Sequence, residues 1–176
     1  YRNTPAGFTD RLMEETFRKK LETERHKDSE AAPRLEKEYH PGVEPFVGRE
    51  RLLQEIHGRF LAGENPVILN GVGGIGKSAL ARTYVRKFRE EYGHIVFLPC
   101  EKGLRAAVTD DSHCPIRGFR YSHAAYGSAK NYYKAKIQIL KELMAGERFL
   151  VVLDNCDWFT DPCLKEVFSM PCDILV

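Results

Sequence analysis

Residues 71–78 read Gly-Val-Gly-Gly-Ile-Gly-Lys-Ser, the spacing G-x-x-x-x-G-K-S. Those residue types in that order suit one task, the holding of a chain of phosphates. The glycines let consecutive backbone amides turn inward, because side chains would block the anion and several positions need angles that glycine alone adopts cheaply. Lys77 supplies a compact positive charge for β and γ oxygens, and Ser78 offers a hydroxyl to Mg²⁺. A helix beginning there aims the positive end of its dipole at the same anion. The expected contacts with a nucleoside triphosphate are therefore Gly71, Gly73, Gly74, Ile75, Gly76, Lys77, Ser78 and Ala79.

A second group of residues could complete such a site. Phe149-Leu150-Val151-Val152-Leu153-Asp154 is an apolar run ending in a carboxylate, the form expected for the acidic partner of Mg²⁺ in phosphate-loop enzymes, with Asp154 holding the metal through water. Asn155, Cys156 and Asp157 follow it. Asn155 can orient a water molecule but accepts its proton poorly, and Asp157 could replace it as base if the turn brings it inward. The pattern predicts slow hydrolysis, with Lys77, Asp154, Asn155 and Asp157 as the candidate catalytic residues.

These groups need strands and helices to position them. Pro66 to Leu69 reads as a short buried strand entering the phosphate loop, and a helix is expected from Lys77 to about Tyr92, with Leu80, Tyr84, Phe88 and Tyr92 on one face. Ahead of them, a helix running to about Leu61 carries Leu52, Leu53, Ile56 and Phe60 together, with Gly63 as its stop. Ile95 to Pro99 reads as another strand, lying in the chain between the loop and the acidic strand. Residues 101–127 show no clean period. A helix from Ser128 to Met144 follows, with Tyr133, Ile137, Leu140 and Met144 on one face. Asp161 caps a short helix through about Phe168 with Pro162 in its first turn, and Asp173 to Val176 forms the last strand. Alternating strands and helices imply an α/β fold with a mostly parallel sheet covered on both faces, and a ligand site at the carboxyl ends of the strands.

Composition narrows the classes of function. A chain of 176 residues with 43% hydrophobic content can bury one substantial core. A net charge of +2 does not indicate nucleic acid or a membrane as the main partner, although a local basic patch is compatible with it. The longest wholly apolar run, Phe149 to Leu153, is far short of the roughly 18 residues of a membrane span. Five cysteines with no C-x-x-C pair argue against a disulfide framework or a zinc site and fit a cytoplasmic protein. Residues 1–43 are expected to form a charged helix and linker, and residues 44–176 the nucleotide-binding domain. Among the first 40 residues, 18 are charged, nine of each sign, so this part reads as a solvated helix that could equally serve as an interaction scaffold. The chain starts without methionine and stops inside an expected strand, which reads as a segment of a longer polypeptide.

Taken together, Phe46-Val47-Gly48-Arg49-Glu50, Gly71 to Ala81 and Leu150 to Asn155 resemble the nucleotide-binding domain of STAND-class signalling ATPases, the NB-ARC branch in particular, spelled more as in bacteria than in plants or animals. The resemblance implies a three-layer P-loop NTPase of AAA+/STAND type, truncated before a fifth strand and preceded by an N-terminal helix. It also implies a switch that holds ADP at rest, takes up ATP when a sensor domain is engaged, and then self-associates through its flanking domains. By similarity Phe46, Val47, Gly48 and Arg49 lie against adenine and ribose. The parts that close over the nucleotide in such proteins would lie beyond Val176, so this segment is expected to retain nucleotide weakly. The alternative reading is an AAA+-like remodeller or P-loop kinase in which turnover is itself the function. A GTPase is disfavoured, since Asp154 does not begin a D-x-x-G sequence and no N-K-x-D segment occurs.

Overall fold

The computed structural model describes residue 35 and residues 48–156 and 160–176. In chain order its regular elements are α1 (Glu50–Leu61), α2 (Lys77–Lys87), β1 (His94–Pro99), α3 (Leu104–Thr109), α4 (His123–Tyr126), α5 (Ala129–Met144), β2 (Phe149–Asp154), α6 (Leu164–Phe168) and β3 (Asp173–Leu175). The charged segment expected ahead of Gly48 otherwise lies outside the described residues, as do Phe46, Val47 and Asp157.

The three strands run parallel in the order β1, β2, β3. Their register pairs His94 with Phe149 through to Pro99 with Asp154, and Leu150 with Asp173 through to Val152 with Leu175. The segment entering the phosphate loop makes a single parallel bridge, Val67 to Leu175, where a full strand was expected. Its hydrogen bonding nevertheless extends the sheet: Val67 N donates to Ile174 O at 2.8 Å, Val176 N to Val67 O at 3.0 Å, and Leu69 N to Val176 O at 2.7 Å. In space, therefore, β3 separates the loop from the acidic strand. The strand at Ile95 to Pro99, which stands between them in the sequence, lies on the far side of β2.

Strand periodicity builds the layers. Phe149, Val151 and Leu153 join Val96, Leu98 and Ile174 in one apolar cluster with residues of α3, α5 and α6. Leu150 and Val152 join Ile95, Phe97, Val67 and Leu175 in a second, with Leu53, Ile56 and Phe60 of α1 and Leu80, Tyr84 and Val85 of α2. Alternate side chains point to opposite faces of a strand, so a sheet apolar on both faces needs helices on both sides. Burying this much apolar surface is the main favourable contribution to the fold.

The phosphate-loop helix is shorter than its four-residue periodicity suggests. α2 ends at Lys87, and Arg89–Glu91 tighten into a 3₁₀ turn. Arg89 Nη1 donates to Tyr92 O at 2.8 Å, so Phe88 and Tyr92 keep their buried positions across a break in the helix. The segment without clean periodicity contains α3, α4 and a tight turn in which Phe119 N donates to Ile116 O at 3.0 Å. Asp161 keeps its expected local contact and adds a distant one. Its Oδ1 accepts from Cys163 N at 2.9 Å, just ahead of α6, which begins at Leu164, and its Oδ2 accepts from Leu104 N at 2.7 Å, at the start of α3. Ser128 does cap α5, its Oγ accepting from Asn131 N at 3.3 Å.

Two polar networks sit within this apolar frame. At the amino ends of the strands, His57 Nδ1 and the Tyr84 hydroxyl share a hydrogen bond of 3.1 Å, and the Tyr84 and Tyr92 hydroxyls another of 3.0 Å. Tyr92 donates to Asp173 Oδ2 at 3.0 Å, Arg148 Nη2 to the same oxygen at 2.7 Å, and Arg148 Nη1 to Glu91 Oε2 at 3.5 Å. Glu91 returns to His57 Nε2 at 3.2 Å, closing a ring. Burial pushes the Tyr84 phenol up to about 12, so it remains a proton donor at neutral pH.

The other network anchors the irregular segment to α5. Lys136 is fully buried, and its Nζ meets Asp111 Oδ1 at 2.6 Å while Tyr132 donates to the same oxygen at 2.8 Å. Helical periodicity places Lys136 on the inner face, where a cation is tolerated only when paired. Removing Asp111 leaves a buried ammonium without its counter-ion, whereas removing Lys136 leaves a carboxylate that water can still reach. Asp111→Ala is expected to lower unfolding stability by about 3–5 kcal/mol and Lys136→Met by clearly less, measured by urea denaturation. Equal losses, or the reverse order, would contradict this account of the pair.

Candidate functional site

The loop at residues 71–78 takes the backbone form that its glycines suggest. Gly74 and Gly76 have φ of 78° and 94°, in the left-handed region where a Cβ is disfavoured. Gly76 is the residue preceding α2, and no side chain caps the helix there. The first amides of an α-helix lack intrahelical acceptors, so this end is open to an anion. Val72 is 74% exposed and Ile75 46%, so neither apolar side chain of the loop belongs to the core.

Lys77 folds back over the loop that precedes it. Its Nζ donates to Gly71 O at 2.8 Å and Val72 O at 3.4 Å, which places the ammonium across the loop's mouth. A phosphate would exchange those neutral carbonyl acceptors for anionic oxygens, which make stronger hydrogen bonds with an ammonium. Arg49 reaches the loop from the other side, Nη2 donating to Ile75 O at 2.8 Å. Gly48, with φ of 97°, gives the chain its turn just before Arg49. The structure thus brings Arg49 to the phosphate loop.

Asp154 reaches the same place from the end of β2. Ser78 Oγ donates to Asp154 Oδ1 at 2.6 Å, joining two residues 76 positions apart. A hydroxyl and a carboxylate side by side form a hard oxygen pair of the kind Mg²⁺ takes while keeping several waters. The residues present therefore fit a Mg²⁺-bound nucleotide: Ser78 and Asp154 would hold the metal, and the loop amides with Lys77 the phosphates. The metal would neutralise charge on the phosphate oxygens.

Arg82, on α2, also reaches the site. Its Nη2 lies 3.9 Å from Asp154 Oδ2, and its guanidinium stands 6.0 Å from the centre of the Phe97 ring. The signal was present in the spacing, since Arg82 is four residues after Ser78 and shares its helical face. Asp154 consequently has a hydroxyl on one oxygen and a cation near the other.

Asn155, the expected water-orienting residue, makes a side-chain contact of its own. It adopts φ of 55°, and its Nδ2 donates to Glu101 Oε1 at 3.0 Å beyond the end of β1. Asparagine is among the few non-glycine residues that accept this conformation readily. The contact holds the Glu101 carboxyl below its ordinary range by stabilising its charged form. Glu101 went unrecognised in the sequence because it follows an apolar strand at an ordinary turn position. Cys100 N donates to Asp154 O at 2.7 Å, so the turns after β1 and β2 are joined through backbone and side chain alike.

Residues 45–169 match the family described as AAA ATPase domain. Over 149 residues, 82% of its length, the chain is 26% identical to a probable disease resistance protein of Arabidopsis thaliana. It spans 15% of that protein.

Two substitutions separate the parts of the site. Lys77→Ala is expected to weaken ADP and ATP binding at least tenfold, about 1.4 kcal/mol. Ser78→Ala should leave Mg²⁺-free binding within about twofold and remove most of the gain that Mg²⁺ brings, since it takes away a metal ligand and not a phosphate contact. Titration calorimetry with and without Mg²⁺ distinguishes the two, and wild-type Mg²⁺ dependence in Ser78→Ala would remove the hydroxyl from the metal site.

Proposed function

The chain belongs to the AAA ATPase domain family, and on that premise we propose that it is the ATP/ADP-binding switch domain of a multidomain signalling protein of the STAND class, NB-ARC-like and of bacterial type. The observation that carries this reading is the 2.6 Å hydrogen bond between Ser78 and Asp154, which unites the phosphate loop with the acidic strand across the intervening β3. Nucleotide and Mg²⁺ would bind there. Arg49, against the loop at Ile75 O, supports the assignment of residues 46–49 to the nucleotide pocket. Similarity to a plant disease resistance protein supports a signalling role over a metabolic one.

Slow turnover belongs to the same proposal. No carboxylate directly follows Asp154, and the amide that does follow it is committed to Glu101. The site can thus hold and polarise a triphosphate while offering little general base to activate water. A domain of this kind reports which nucleotide it holds, and its flanking sensor and effector regions convert that state into self-association. Residues 44–176 would be the nucleotide-binding unit of the larger protein and residues 1–43 its charged lead-in.

The full-length protein is expected to hydrolyse ATP more slowly than about 1 s⁻¹, at the low end of ordinary enzyme rates. Faster steady-state turnover would favour a remodelling or kinase reading. Its relative affinity for ADP and ATP should also differ between the monomeric and assembled states, measured by nucleotide titration of each state separated by size. Equal ratios would defeat the switch, because a ligand without differential affinity moves no equilibrium.

A further inference from the structure

The carboxyl edge of the sheet holds two cysteines that the nucleotide site does not use. β1 and β2 run in register to Pro99 and Asp154, and the next backbone hydrogen bond, Cys100 N to Asp154 O at 2.7 Å, carries the pairing one residue further. Cys100 and the segment Asn155–Cys156 therefore leave the sheet side by side. Asn155 takes a positive φ as the second chain turns, and its side chain spans the gap to Glu101 of the first. Cys100 is 4% exposed, its thiol donating to Leu98 O at 3.2 Å; Cys156 is half-buried and packs against the same apolar cluster. The neighbouring Cys156 thiol, together with burial, pushes the Cys100 thiol up.

The remaining cysteines have different surroundings. Cys114 and Cys172 are buried with raised thiols, as Cys100 is, but Cys172 directly precedes β3 at the opposite end of the sheet and Cys114 lies in the irregular segment after α3. Cys163 is buried at the start of α6, with Arg105 Nη2 3.9 Å from its sulfur. Cys156 is the one cysteine among the described residues that is not buried, and its neighbour across the gap is another thiol.

We propose that Cys100 and Cys156 form a redox modification site, closing an intramolecular disulfide when hydrogen peroxide oxidises the more accessible Cys156. In the first step the Cys156 sulfur attacks one peroxide oxygen, the O–O bond breaks, and Cys156 becomes a sulfenic acid with release of water. Next the Cys100 sulfur attacks the Cys156 sulfur, the S–O bond breaks, and a second water leaves with the Cys100 proton. Two thiols have lost two electrons and two protons, and one peroxide has become two waters. The new bond joins the ends of β1 and β2 where a backbone hydrogen bond and the Asn155–Glu101 contact already hold them, so it requires little rearrangement. It would clamp the turn that directly follows Asp154. Dithiol reductants reverse it by exchange.

The test uses the full-length protein treated with hydrogen peroxide, then alkylated and digested without reduction. Mass spectrometry should find Cys100 and Cys156 in one linked peptide pair, two hydrogens lighter than the reduced pair and lost on treatment with dithiothreitol. The oxidised protein should unfold roughly 5–15 °C higher than the reduced one, as an unstrained bridge closing a long loop requires, and Cys156→Ser should show neither bridge nor shift. Because the mapping is made on the unsubstituted protein, it stands even if a variant folds poorly. Cys156 found as sulfinic acid or paired with Cys163, or a bridge that lowers the unfolding temperature, would overturn the proposal.

Discussion

Everything at this site depends on strands that run the same way and end at the same level. Parallel pairing from Val67 through Leu175 and Val152 to Phe97 aligns four stretches of backbone that are scattered from one end of the described chain to the other. The consequence is geometric: what leaves those stretches leaves on one side. The glycine loop, the Asp154 turn and the Cys100–Glu101 turn therefore share an edge without any direct sequence relation. Parallel strands cannot be joined by tight turns, so each crossover must bring a helix, and those helices supply the two apolar layers that a sheet apolar on both faces demands. Fold and site follow from the same alignment.

Within that alignment, the short hydrogen bond from Ser78 to Asp154 makes α2 and β2 into a single unit. Arg82, one turn further along α2, faces the other carboxylate oxygen, so a metal entering the pair would meet a site whose charge is already partly balanced. This tempers the view of Asp154 as a simple metal ligand. Asn155 and Glu101 then connect the acidic turn laterally to β1. The site is a row along the sheet edge, running from Arg49 and the glycine loop through Asp154 to Glu101.

The parts of this arrangement legible in the sequence are those carried by local rules. Glycine spacing announced the loop, apolar periodicity announced α1, α2 and α5, and a run of consecutive apolar residues announced β2. The parts that escaped depend on distant partners. Asp161 looked like a local cap, and its Oδ1 does accept from Cys163 N, yet its Oδ2 also serves α3, 57 residues earlier in the chain. Lys136 broke the apolar pattern of α5 without announcing Asp111, because an ion pair between irregular chain and helix leaves no periodic trace. The strand neighbours of the loop were misleading in one-dimensional order, since β3 is last in the chain but adjacent in the sheet. Asn155 was recognisable as a departure from an acid, but its preference for Glu101 rests on a backbone angle that only the folded turn reveals.

The ring of His57, Tyr84, Tyr92, Asp173, Arg148 and Glu91 lies at the pole of the sheet opposite the glycine loop, and it holds α2 near its last turn. From Ser78 to Tyr84 the helix advances about 9 Å. It is thus held at both ends, by the tyrosines at its last turn and by Asp154 at its first. A push at Ser78 cannot slide the helix bodily, because the far end is fastened to the roots of β1, β2 and β3. With both ends tied to strands, any displacement at the loop is shared with the sheet and not taken up by α2 alone.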